Sequence, residues 1–370
     1  RAVGGIIGDV DRMNSQCKIN MINDGSLSST QYYIGGLIGY SNSQLNFGAD
    51  SRVSYEGGSM KITGETYTGG VIGGLDMAVG SASHIIDKQP AVHANIIARS
   101  HTGGICGYMR LKNTTGVAEI IKETNVCKVV ITSTSPSATN IGGVIGYLRA
   151  ESENDDIGQI RLSGITQLTG SITAAGGAVG GIIGRVENVK NKSILIENCK
   201  NFVNLTSTAT SNVDGFGGIG GMREEPGYEI RIANCANYGD ISGRNVSAAG
   251  GIFGQQEENL YIDQCLNAGK IDANSAVGGI LGRVFEHAAV ENCFNMGEVP
   301  WVSGKTLLAG IVGQKENKSK KDLRIKNCYN VGTTGWGIIG GEDDKNVDCL
   351  NCYYPVSYTH LRAHETLRHL

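Results

Sequence analysis

The chain has 370 residues, a formal net charge of −3 and 55 glycines, about 15% and roughly twice ordinary usage. With 40% hydrophobic and 18% charged residues the composition excludes disorder, and only 5 prolines exclude collagen and Pro-rich linkers. The near-neutral charge argues against a nucleic-acid partner, and no apolar run approaches the ~20 residues that a membrane helix needs. The chain begins at Arg1 without an initiator Met or a signal peptide and reads as a fragment of a longer protein.

Along the chain one five-residue word recurs: two small residues, two apolar residues, then Gly. It runs from Gly4-Gly5-Ile6-Ile7-Gly8 through Gly142-Gly143-Val144-Ile145-Gly146 to Trp336-Gly337-Ile338-Ile339-Gly340, in 11 copies spaced 27 to 39 residues apart. A fixed period of this size is the mark of a repeat architecture. A second word, apolar-x-Asn-Cys-x-Asn-x-Gly-x-apolar, lies between copies in the C-terminal half, as in Ile232 to Ile241 and Val290 to Val299. The organisation is therefore longer, divergent repeats over 1–160 and regular repeats with both words over 161–356. Residues 357–370 hold three of the seven histidines and no glycine, and resemble translated sequencing-adapter read-through. They are set aside as a non-native tail. In that tail His364 and His369 are five residues apart, which misses the four-residue spacing of an H-E-x-x-H zinc site.

One repeat predicts one rung. In residues 228–255, Tyr228 to Ile232 alternates polar and apolar, with Ile230 and Ile232 inward. Asn234 to Asn237 turns the chain, because Asn tolerates left-handed backbone. Gly239 to Gly243 forms a second strand with Ile241 inward, and Ala248 to Gly254 a third. A single rung cannot bury its apolar side, but a stack can. So much glycine excludes a helical solenoid. Repeats this short and numerous do not suit propeller blades of ~40–45 residues. The expected fold is all-β: a parallel β-helix-like solenoid of about eleven rungs of three short strands, roughly 50 Å long.

The glycine word resembles the GLUG motif, and the Asn-Cys-x-Asn-x-Gly word usually accompanies it. The resemblance covers residues 2–354. It implies a repeat region from a large secreted or surface-attached bacterial protein, adhesin-like, or from an IgA-cleaving protease in which such repeats sit beside a separate catalytic domain.

Several residue groups are candidates for function. Tyr40, Tyr108 and Tyr147 each directly follow a glycine word, where other copies hold Asp9, Arg185, Gln255, Arg283 or Gln314, so they are expected to face solvent and offer a sugar- or protein-contact strip. Acidic segments at Glu151 to Asp156, Glu224-Glu225, Glu257-Glu258 and Glu342 to Asp344 share one edge and could hold Ca²⁺ or supply a glycosidase acid pair. Cys199, Cys235, Cys265, Cys293 and Cys328 should stack as a column of small buried side chains, and the neighbouring asparagines as bonded amide columns. Cys349 and Cys352 read as repeat residues, with a disulfide or metal clip as the alternative. His84, His93 and His101 read as surface histidines.

These features point to a non-catalytic surface module that binds a host glycan or protein, with no cofactor and no membrane span. The alternatives are a β-helix carbohydrate-active enzyme, which needs two carboxylates converging in a cleft, and a passive spacer, which binds nothing.

Overall fold

The computed structural model describes residues 2–11, 20–30, 32–54, 60–78, 84–112, 116–137, 139–151, 158–189, 192–223, 229–257, 259–301, 305–316, 322–335, 337–341 and 347–355. Within them the chain is all β, with no helix, and it coils into a solenoid whose strands all pair in parallel. Four sheets run along the rod. A ten-stranded leading sheet, from Ala2–Gly4 to Thr306–Ala309, carries the first half of each glycine word. A ten-stranded trailing sheet, from Ile7–Val10 to Val312–Lys315, carries the second half. A third sheet of nine strands runs from His84–Lys88 to Val347–Leu350, and a fourth of fourteen strands includes Ile22–Asn23 and Tyr329–Asn330. The eleventh glycine word joins the stack through a bridge between Val312 and Ile339.

From Tyr67–Gly69 to Tyr329–Asn330 each rung therefore spans four sheets rather than the three strands expected, while the two rungs before that stretch have no described strand in the third sheet. In one rung the chain passes through Ile230–Ala233, Ala236–Asn237, Ile241–Ser242, Ala249–Gly250 and Phe253–Gln256. The stretch read as one strand from Ala248 to Gly254 bends at Gly251-Ile252 and so serves two sheets. The Asn-Cys-Ala-Asn turn narrows to a single corner residue, Asn234, after which Ala236–Asn237 pairs again.

That corner explains the Asn. Asn198, Asn234, Gln264, Asn292, Asn327 and Asn351 all adopt φ between 50° and 55°, a left-handed conformation that Asn tolerates better than most residues. The inward residues stack in register: Ile230 on Leu260, then Ala288, Leu323 and Val347. They form one continuous core with Ile232, Ile241 and the buried cysteines.

The two sequence words meet inside the rod. A Cβ on the second glycine of the word would lie 2.3 Å from Asn237 Cγ at Gly218, and likewise from Asn267 at Gly251 and Asn295 at Gly279. The same atom would be 2.1 or 2.2 Å from the next rung's glycine carbonyl. The glycines are thus the space into which the asparagine amides fit. In the longer N-terminal rungs aliphatic side chains take that place, Val92 against Gly70, Val129 against Gly104 and Leu168 against Gly143.

Candidate functional site

The tyrosines flank the arch made by the glycine word. Gly35 packs its α-carbon against the Ile38 carbonyl, so the residues on either side of the word are brought together. Tyr33 precedes the word and Tyr40 follows it, and their ring centroids are 4.9 Å apart. Stacking in register then extends the contact along the rod. Tyr33 pairs with Tyr67, Tyr40 with Gly74, Gly74 with Tyr108 and Tyr108 with Tyr147.

The result is a strip of six rings. Tyr33 stacks on Tyr67 at 4.9 Å and 17°. Tyr67 meets Tyr108 at 5.0 Å and His101 at 4.9 Å. Tyr147 closes the group, 5.3 Å from Tyr108 and 5.4 Å from His101. Tyr40, Tyr108 and Tyr147 thus belong to one feature, with Gly74 standing in their column between the first two. The rings do not stand fully in solvent as their repeat position suggested. Rungs ~4.8 Å apart are too close for two flat rings side by side, so the rings tilt and stack, and all three tyrosines are half-buried. Gly74 makes this packing possible, since a Cβ there would be 2.3 Å from Cδ1 of Tyr33.

Burial also sets the protonation states. It pushes the Tyr108 phenol up to about 12 and raises those of Tyr33 and Tyr40, so these hydroxyls stay protonated further into the alkaline range than a free tyrosine. His101 is not a surface histidine. Burial, with Arg185 second, lowers its pKa to about 4, and the neutral ring contacts Asn140 Nδ2 at 3.2 Å through Nε2. Tyr33 and Tyr67 were not singled out from sequence and His101 was read only as a surface histidine, yet each lies two residues before a glycine word, and that shared position was a readable signal.

Beside the rings runs a column of paired charges. Asp76 binds both Arg110 and Lys112. Arg149 bridges Glu151 and Glu187 from neighbouring rungs, and the Arg185 guanidinium lies 5.5 Å from the Tyr147 ring centroid. Of the acidic segments, Glu151 is thus an ion-pair partner and Glu257 is half-buried. Residues 152–156, 224–225, 258 and 342–344 lie outside the described residues, as does the tail at 357–370. Among the described residues, no group of three or more His, Cys, Asp or Glu side chains could hold a metal ion.

The buried columns form as ladders. Asn201 Nδ2 donates to Asn237 Oδ1, Asn237 to Asn267, Asn267 to Asn295 and Asn295 to Asn330, at 2.7 to 2.8 Å. Each cysteine thiol donates to carbonyls, as Cys235 does to Ala233 at 3.3 Å and Ile196 at 3.7 Å. Burial pushes the Cys127 thiol up to about 12, which leaves it protonated and inert.

A second aromatic pair went unnoticed in the sequence. Phe202 and Tyr238 stack at 4.8 Å and 8° on the outer side of the fourth sheet, each 41% exposed. Both are the residue between the Asn and the Gly or its equivalent, which alternation places outward. No protein-family model, curated protein or solved structure matches the chain.

Proposed function

We propose that this chain is a non-catalytic recognition rod of a bacterial secreted or cell-surface protein, adhesin-like, that binds an extended, uncharged host glycan along its tyrosine strip. The observation that carries this reading is a pair of ring columns in which rings on successive rungs, Tyr33–Tyr67, Tyr67–His101 and Tyr108–Tyr147, lie 4.9 to 5.3 Å apart. That spacing is close to the repeat of one pyranose in an extended β-linked chain, so successive sugars would meet successive rungs in equivalent surroundings. The tilted rings offer apolar edges and hydroxyl donors, which suit the C–H and O–H faces of a sugar. Asp76, Arg110, Lys112, Arg149, Glu151 and Glu187 already pair with one another, so the strip favours neither an acidic nor a basic ligand.

Retention of the full chain on immobilised neutral β-glycans, acidic glycans and host proteins tests this. Neutral glycans are expected to retain it, with affinity rising with chain length up to about one sugar per ring-bearing rung. Tyr108→Ala with Tyr147→Ala should weaken retention at least about tenfold, or ~1.4 kcal/mol, while Phe202→Ala with Tyr238→Ala should not. Unchanged affinity in the first double variant, with its circular dichroism intact, sinks the assignment. Loss of retention with chelator alone would move the contact to the acidic segments.

A further inference from the structure

The last described rung differs from the others in its sulfur chemistry. Cys352 continues the thiol column, donating to Leu350 O at 3.3 Å and Ile325 O at 3.6 Å as its predecessors do in their rungs. Three residues earlier, Cys349 takes the register position of Ile325. Through the stack that position holds Ile196, Ile232, Ile262 and Val290. Among the described residues, only here does an inward thiol sit on each side of the corner. Asn351, at φ 54°, turns the chain between them so that both side chains face the core. Both thiols pack against the core, separated along the chain by Leu350 and the corner residue Asn351. They are also half-exposed, whereas the other seven described cysteines are buried.

We propose that Cys349 and Cys352 are a disulfide site that fastens this terminal corner when the protein meets an oxidising environment. Cys328 precedes Cys352 in the same column, one rung away. Parallel column neighbours keep their β-carbons ~4.8 Å apart, beyond the ~3.5–4.5 Å that a disulfide spans. The same spacing keeps the rest of the ladder as thiols. The pair across the corner is free of that restraint, because its two residues belong to one turn.

The chemistry is thiol–disulfide exchange with a disulfide oxidant such as glutathione disulfide. One cysteine loses its proton and attacks the oxidant, breaking its S–S bond and releasing one glutathione thiolate. The second cysteine then attacks the mixed disulfide, forming the Cys349–Cys352 bond and releasing the second glutathione. The protein gives up two electrons and two protons, and the oxidant becomes two thiols.

The test is thiol mapping of the full chain after incubation with glutathione disulfide, alkylation under denaturing conditions and tryptic digestion. Both cysteines fall in one peptide, residues 346–362. That peptide is expected two hydrogens lighter than its dithiol form and unalkylated, while Cys199, Cys235, Cys265, Cys293 and Cys328 are alkylated in full. Cys349→Ser should abolish the disulfide and leave Cys328 reduced. Three results each overturn the proposal: a 346–362 peptide alkylated at both positions, a cross-link from Cys352 to Cys328, or an unchanged disulfide in Cys349→Ser. Unfolding the chain in denaturant before oxidation supplies the contrast, since scrambled pairings there and a single pairing in the native chain assign the selectivity to the fold.

Discussion

Asn237 gives one amide hydrogen to the Gly239 carbonyl at 2.9 Å and the other to Asn267 Oδ1 at 2.8 Å. Asn267 repeats the pattern toward Gly269 and Asn295. Each amide therefore shapes its own turn and ties it to the next rung, with no donor left over in a buried site.

Removing a middle member leaves its neighbours short of partners in a fully buried site. Asn267→Ala should cost about 2–4 kcal/mol, from unmade hydrogen bonds and the cavity beside Gly251. Asn201→Ala, at the start of the ladder, should cost less. Urea unfolding of the two variants checks the order, and equal losses would mean that the ladder does not act as a connected unit.

The glycine word makes a steric prediction. At Gly279 a methyl group would meet Gly310 O at 2.1 Å and Asn295 Cγ at 2.3 Å. Gly279→Ala should therefore prevent the C-terminal rungs from docking, seen as lost soluble expression or early protease cleavage. Gly8→Ala, whose nearest contact is Ala2 O at 3.3 Å, should change stability by less than about 1 kcal/mol.

His101 gives the rod a pH dependence with a defined sign. Its folded pKa is lowered from 6.5 to about 4, so below 6.5 the unfolded chain takes up a proton that the folded ring refuses. The stability this buried neutral ring contributes is complete above pH 6.5 and is lost as pH falls toward 4. His101→Asn keeps a residue that tolerates the local φ of 47° and removes the titration. The stability difference between wild type and variant should shrink on acidification. A gap that stays constant from about pH 7 to about pH 4 would contradict a neutral buried His101.

Gly74→Ala offers a test of the strip that removes no ring. Its methyl would displace the Tyr33 side chain, 2.3 Å away, and break the stacked Tyr33–Tyr67 pair. Glycan retention should fall about as much as in Tyr33→Ala, with little change in unfolding midpoint, because the strip lies outside the core. Retention equal to wild type would place the contact elsewhere on the rod.

Much of this architecture was legible in the sequence because a solenoid converts sequence period directly into spatial neighbours. Ile230, Ile232 and Ile241 face inward as alternation required, and the Cys and Asn columns stack as their repeat positions required. The division of the glycine word between two sheets was not legible, since the bend at Gly251-Ile252 looks like continuous strand until the packing of Gly251 against the next rung is known. The full ring strip was missed for a related reason. Tyr33 and Tyr40 are seven residues apart, and only the arch of the glycine word brings their centroids to 4.9 Å. The connection between the two words was hidden too, because Gly251 and Asn267 touch across the core rather than along the chain.

The parallel stacking has a mechanical consequence. The hydrogen bonds between rungs lie along the rod axis, so tension applied to the two ends loads them in series rather than sharing the load across a shear plane. The end rung gives way first, and the next becomes the new end. Repeats of 27 to 39 residues would then come off one at a time, each releasing roughly 100 Å of extended chain at ~3.4 Å per residue. Under a pulling force such a rod would lengthen one repeat at a time, in steps that vary with repeat length, and yield gradually rather than all at once.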